Sequence, residues 1–556
     1  MVQKMIRYFR AKGARRFVRH LFSRALGIEE MSYRRWRRLH RLTKRELRRQ
    51  KTEKYAVMPK FSIFFLPFSE PYAPEGMMME SIHKQTYQNW EVYAEKPINE
   101  ALEQASGDYF VFLNPDGALA PNALFACVDY RNQQEEFDLL YSDEDQMYAD
   151  GKSFFNPQFK SGFNMDLLRS KDYISHFFVV RRAVLEKVGK LHPELKGAQG
   201  YDLVLRCVEN SKAIVRLSEV LYHKRVKHSM KNSYAYKGWE KYQRSALQRH
   251  LRRCELQAEV EEGETPGVCR VHYGLREEPL VSIIIPNKDH VDDLQRCIGA
   301  LCGCSSYSNI EIIIVENNSI QKETFAYYKK LQERYVNLKV LIWEEAGEFN
   351  YSALNNFGSK AALGKYLLFL NNDTELIAMD SIREMVSCAE REDVGIVGAR
   401  LYYPDHSIQH AGVILGLGGV AGHAFREASY GDPGYDDRIV CTQDYSAVTA
   451  ACMLIKAQLF HQVGAFDEKL KVAFNDIDLC MKVRGEGKLV IYTPYAELFH
   501  YESKSRGLDD TKEKQAQYQR EVKYFQQKWH RELRAGDPYY NPNLTLEKHD
   551  FSLKVC

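Results

Sequence analysis

Nowhere does the 556-residue chain approach the roughly 18 consecutive apolar residues that a membrane-spanning helix requires. Runs such as residues 283–285 or 366–370 are of strand length only. The basic start is not followed by an apolar core of signal length, so no signal peptide is expected. The 12 cysteines include no CxxC pair, and Cys302-Gly-Cys304 is the nearest approach. Such scatter suits reduced thiols in a cytosolic protein better than a disulfide framework or a zinc site. A disorder-prone composition is also missing, since 45% of residues are apolar and 27% charged. At roughly 100–200 residues per domain, three or four domain-sized pieces are expected.

Charge is present but uneven. Residues 1–55 hold 19 Lys/Arg against 4 Asp/Glu, or +15, which leaves −11 of the net +4 to the other 501. Ile6, Phe9, Phe17 and Leu21 recur at near-helical spacing among basic residues, and Arg34-Arg35-Trp36-Arg37-Arg38-Leu39-His40-Arg41 follows. A basic amphipathic arm over 1–58 suits an anionic membrane surface. A solvated helical hairpin packed on the next domain is the plain alternative, and nucleic acid is the least favoured partner.

An internal repeat governs the rest. Gly107-Asp-Tyr109-Phe-Val-Phe112-Leu113-Asn114-Pro-Asp116 matches Gly364-Lys-Tyr366-Leu-Leu-Phe369-Leu370-Asn371-Asn-Asp373 at identical spacing. Phe61-Ser62-Ile63, leading to Pro67, pairs with Val281-Ser282-Ile283, leading to Pro286, and Asn89-Trp-Glu91 with Asn309-Ile-Glu311. Val188-Gly189 then pairs with Val463-Gly464, Tyr201-Asp202-Leu203 with Ile477-Asp478-Leu479, and Leu221-Tyr-His223 with Leu498-Phe-His500. Six matches in order predict a duplicated domain of some 200–230 residues, too long a period for a solenoid. Short apolar strands alternating with helical stretches make each copy α/β with a largely parallel sheet. Ligands bind off the carboxyl ends of such strands, so Pro286, Glu316-Asn317-Asn318 and Asp373 should converge on one cleft.

The copies are unequal. Copy two runs 48 residues from Glu316 to Gly364, whereas copy one runs 12 from Glu95 to Gly107, so about one βα unit is missing beside the predicted cleft. Asp476, in Phe474-Asn475-Asp476-Ile477-Asp478-Leu479, is matched by Gly200. If a helix starts there, one Asp can cap it and the other can project as a general base. Asp373 at a strand end can hold a hard cation against a diphosphate, although Thr374-Glu375 makes a helix cap the plainer reading. His500 reads as a core histidine or a ligand.

Copy two resembles the family 2 glycosyltransferases of GT-A fold over most of residues 280–510. The resemblance rests on Val-Ser-Ile-Ile-Ile-Pro286, Ile-Val-Glu316-Asn-Asn-Ser319, Ser352-Ala-Leu-Asn-Asn356-Phe-Gly358, Leu-Asn-Asn-Asp373, Phe-Asn-Asp476-Ile-Asp478-Leu and His500-Tyr-Glu-Ser503. Copy one, with Tyr141-Ser-Asp-Glu-Asp145, looks like a second such domain. With the basic lead segment and Asp537-Pro-Tyr-Tyr-Asn-Pro542, the whole resembles bacterial two-domain enzymes that build surface polysaccharides.

The resemblance implies two tandem α/β GT-A (Rossmann-like) domains, the first degenerate at 59–260 and the second catalytic at 275–508, with a helical tail at 509–556. It implies inverting transfer of a sugar from a nucleotide-diphosphate donor to a glycan or lipid-linked acceptor at the inner face of the cytoplasmic membrane. Pro286, Glu316, Asn317, Asn356, Asn372 and Asp478 would bind the nucleotide sugar. Asp373 and His500 would hold Mg²⁺ or Mn²⁺, and Asp476 would be the catalytic base. Asn371 departs from the family's acidic motif, and no QxxRW segment is present. The competing expectation is a non-catalytic glycan-binding or scaffold protein with two degenerate domains.

Overall fold

The computed structural model describes residues 32–66, 76–134, 136–226, 238–344, 349–501 and 511–555. Ile6, Phe9, Phe17 and Leu21 of the arm, as well as Pro67 and Ser503, lie outside them. Two sheets carry the same strand order. In the first it is Trp90–Tyr93, Phe61–Phe65, Tyr109–Leu113, Phe177–Arg181, Leu139–Tyr148, Ile214–Val226, Gly117–Leu119. In the second it is Ile310–Glu316, Val281–Asn287, Tyr366–Leu370, Cys452–Lys456, Val394–Tyr402, Leu489–His500, Thr374–Leu376. The first three strands of each series are parallel, and the fourth runs antiparallel to both neighbours. Val281–Asn287 and Ile310–Glu316 are buried at every position, as near-continuous apolar strands must be when helices cover both faces.

Along this shared order the second sheet is longer by one strand, Leu338–Ile342, parallel to Ile310–Glu316 at the outer edge. It follows the helix Lys322–Arg334, and both lie in the interval that copy one lacks. The loss is therefore peripheral to the sheet.

A buried polar triple has been kept in both copies. Ser282 Oγ donates to Glu311 Oε1 at 2.6 Å and accepts from Gly364 N at 2.8 Å. Ser62 Oγ does the same with Glu91 Oε1 at 2.6 Å and Gly107 N at 2.9 Å. Only glycine fits, since a Cβ on Gly364 or Gly107 would lie 2.7 or 2.6 Å from the serine nitrogen.

One sequence pairing needs correction. Tyr501 N donates to Asp373 O, and its counterpart is Arg225 N donating to Asp116 O. Thr374 faces His500 across the sheet, whereas Gly117 faces Lys224. Copy one therefore has Lys224, not His223, where copy two has His500. Matching by residue type had hidden a one-residue slip.

The copies share one apolar cluster that runs from Phe64 and Phe112 to Ile283 and Ile314. Between them, Arg391 holds Asp166 through two bonds of 2.5 and 3.0 Å. Asn164 and Asp444 exchange a reciprocal pair of bonds at 2.8 and 3.0 Å. The arm contributes helices Tyr33–His40 and Lys44–Thr52, and the tail contributes Lys512–Lys528 and His530–Ala535. Beyond Ala535 the tail is not helical; it is pinned where Asn541 Nδ2 donates to both Asp143 oxygens at 2.9 Å. Among the described residues every cysteine is free, and no helix is long and apolar enough to cross a membrane.

Candidate active site

The central strands of copy two end in a polar floor. Asn372 Nδ2 donates to Asn287 Oδ1 at 2.6 Å, Asn287 Nδ2 to Tyr328 OH at 2.7 Å, and Tyr328 OH to Glu316 Oε2 at 2.6 Å. Ser319 adds its N–H at 2.5 Å and its hydroxyl at 2.7 Å, which fills the Glu316 carboxylate. Burial and the Glu316 charge push the Tyr328 phenol far up, so it remains a donor. Asn317 N donates to Asn287 O at 2.8 Å, and Pro286 lies buried opposite Val315. Asp289, His290 and Asn318 take left-handed φ angles of 52°, 50° and 54° at these strand ends. Such backbone is tolerated where the surrounding structure over-determines it. Tyr328 belongs to the helix that copy one lacks, so that copy has lost the hydroxyl joining its strand ends as well as a cleft wall.

Asp373 leads into the short strand Thr374–Leu376 rather than a helix, so it caps nothing. His500 Nδ1 meets Gln409 Oε1 at 2.6 Å, which assigns the ring proton to Nδ1. Nε2 is then 3.2 Å from Asp373 Oδ1 and 3.2 Å from the Asn371 amide. A carboxylate and an imidazole oriented by an outer hydrogen bond could hold a divalent cation, whereas Asn371 turns its amide nitrogen toward the ring. In copy one, Lys224 places an ammonium there, 3.3 Å from His176 Nε2. A second group, Glu209, His250 and Cys254, has metal-like spacing but does not fit a cation. Arg253 grips Glu209 through two 2.8 Å bonds, and Arg169 Nε lies 3.3 Å from His250 Nε2.

Asp476 is the second residue of the helix Asn475–Gly485, whose N-cap is Phe474 at φ 63°. Neither acid caps this helix. Asp476 Oδ2 accepts from Ala450 N at 3.2 Å and Oδ1 from its own neighbour Ile477 N at 2.8 Å. Burial raises its carboxyl above the usual range, against the opposing pull of those amides and His423. The turn at Ala450 and Ala451 joins the two centres, for Ala451 O accepts from Asn371 N at 3.1 Å. Tyr351 OH donates to Ala450 O at 2.9 Å from the helix Tyr351–Ser359.

Asp478 is fully buried, and its Oδ1 accepts from Trp529 Nε1 at 2.8 Å and Lys528 Nζ at 2.7 Å. Asn356 donates to Phe466 O at 3.0 Å and accepts from Phe466 N at 3.0 Å. Glu316, Asn356 and Asp478 are thus engaged inside the protein, whereas Asp373, His500 and Asp476 gather around one turn. Sequence reasoning missed Gln409, Tyr328 and Trp529. Tyr328 could have been sought in the interval unique to copy two; nothing local marks the other two.

The family model described as Glycosyl transferase family 2 matches residues 95–189 and 282–460. An uncharacterised protein of Sinorhizobium fredii, y4gI, is 38% identical over 517 residues, covering 86% of this chain and 56% of that one. The O-antigen biosynthesis protein RfbC of Myxococcus xanthus is 38% identical over 468 residues, covering 83% of this chain and 35% of that one. The chain therefore spans about half or less of the length of these relatives. The crystal structure of GalNAc-T7 with UDP, GalNAc and Mn²⁺ overlaps 50% of this chain and 52% of that one, at 14% identity and a TM-score of 0.39. With the family model matching segments of both copies, the chain belongs to glycosyl transferase family 2.

Proposed function

We propose that the protein is an inverting glycosyltransferase that uses a nucleotide-diphosphate sugar, with its active site in the second copy. The reading is carried by Asp476, Asp373 and His500 around the Ala450-Ala451 turn, against Gly200, Asp116 and Lys224 at the matching places in copy one. Asn372, Asn317 and Pro286 line the donor side, and Glu316, Asn356 and Asp478 hold the surrounding loops. Asp476 takes the acceptor hydroxyl proton as the new bond to the anomeric carbon forms and the bond to the diphosphate breaks. A single displacement inverts that carbon without a covalent intermediate. Bound at Asp373 and His500, Mg²⁺ or Mn²⁺ would stabilise the charge developing on the leaving diphosphate. The name of the Myxococcus relative supports a glycan or lipid-linked acceptor in cell-surface polysaccharide synthesis.

The test is a panel of UDP-, dTDP- and GDP-sugars, scored for binding and slow hydrolysis with and without Mn²⁺. One donor should bind with metal, lose binding in Asp373→Ala and keep it in Asp116→Ala. A folded protein that binds no donor would support the non-catalytic glycan-binding reading instead.

A further inference from the structure

The described part of the arm has two unlike faces. Tyr33, Trp36 and Arg37 form a stripe at helical spacing that docks on copy one. Tyr33 OH donates to Asp145 Oδ2 at 2.5 Å, Arg37 lies 3.3 Å from the Phe154 ring centre, and Trp36 packs edge-on against Phe159 at 5.0 Å. The next helix is pinned by buried Gln50, which accepts from Thr86 Oγ1 at 3.0 Å. Tyr55 then bonds Asp129, and Val57 exchanges hydrogen bonds with Asn132.

The remaining positions are cationic. Arg34, Arg35 and Arg38 on the first helix and Arg41 just after it are exposed, as are Lys44, Arg45, Arg48, Arg49 and Lys51 on the second. Glu46 and Glu53 are the only acids in residues 32–58. Leu39 stands 58% exposed in the middle of the cationic face. We propose that this face is a docking surface for an anionic phospholipid bilayer.

Three observations favour a bilayer over nucleic acid. The aromatic rings of Tyr33 and Trp36 are turned onto the protein, so they cannot serve as a stacking platform for bases. Leu39 suits the headgroup layer, where an apolar side chain is buried beside cations. The rest of the chain is net negative, so an anionic surface is attracted at the arm and repelled elsewhere. The inference does not depend on the proposed transfer reaction.

The experiment is flotation of the full-length protein with vesicles of phosphatidylcholine alone or with about 30 mol% phosphatidylglycerol, at about 0.1 and 0.5 M salt. Binding should require the anionic lipid and should fall at high salt. Joint substitution Arg34→Glu, Arg38→Glu, Arg45→Glu and Arg48→Glu should lower partitioning at least about tenfold. The milder Arg34→Gln and Arg38→Gln pair should lower it less, with unchanged Tm and donor hydrolysis. Equal binding to neutral vesicles, no binding to anionic ones, or displacement from vesicles by duplex RNA at equal charge would each overturn the proposal.

Discussion

Single side chains decide whether copy two can act. Asp476→Asn keeps the shape and one of the two amide contacts but cannot take a proton, so turnover should fall by about 10²–10⁴-fold while donor affinity holds. The acid limb of the kcat profile should lie above the ordinary aspartate range, because burial raises this carboxyl. Gln409 gives a sharper test of the metal reading, since its side-chain oxygen meets Nδ1 of His500, the ring nitrogen turned away from Asp373. Gln409→Leu should weaken Mn²⁺ affinity by about 10–100-fold, measured by calorimetry, with turnover restored at saturating metal. In copy one, burial pushes the Asp143 carboxyl up to about 7. An acid raised on folding contributes stability below its unfolded value of about 3.9, and this is lost as pH rises toward 7. Asp143→Asn should therefore flatten the fall in Tm between about pH 4 and 7, and an unchanged slope would place that fall on other groups.

Whole elements set where those side chains stand. The C-terminal helix Lys512–Lys528 reaches the base from behind: Glu521 Oε2 accepts from Ala473 N at 2.6 Å, Phe525 stacks on Phe474 at 5.3 Å, and Trp529 holds Asp478. Glu521→Gln and Trp529→Phe should each lower kcat by about tenfold, or ~1.4 kcal/mol, with donor KM and Tm little changed. A raised KM at constant kcat would assign the helix to the donor cleft instead. None of this was legible in the sequence, because residues 476–478 and 521–529 meet only through tertiary packing. The duplication, the largely parallel α/β copies and the missing βα unit were legible, because apolar runs repeated at fixed spacing leave marks along the chain. The strand order and the Ser–Glu–Gly triple needed the structure. The Lys224 register was not legible either, since a backbone slip moves hydrogen bonds without changing the residue pattern. Asp478 and Asn356 have ligand-like chemistry in the sequence, and their partners Trp529, Lys528 and Phe466 are brought to them only by tertiary packing.

At the scale of the molecule, the two copies put the same sheet to different uses. Copy one keeps the sheet but offers the carboxylates of its strand Leu139–Tyr148 to other parts of the chain: Asp145 to Tyr33 of the arm, and Asp143 to Asn541 of the tail. The ammonium of Lys224 stands where copy two has His500, the second ligand of the proposed metal pair. Mn²⁺ should therefore titrate to one site per chain, and Asp116→Ala should leave that count unchanged while Asp373→Ala abolishes it. The seam between copies rests on a buried charge, because Arg391 and Asp166 are both almost fully enclosed. Arg391→Met would strand the Asp166 carboxylate and should cost about 3–5 kcal/mol at neutral pH. Joining it with Asp166→Asn should recover much of that loss, since the uncompensated charge is then gone. Denaturant unfolding of the single and double variants measures the difference. If both lose the same amount, the seam depends on the apolar packing around the pair rather than on the pair itself. If the double variant recovers, the pair serves to align the copies, and donor turnover in that variant then reports how far copy two depends on copy one for its working geometry.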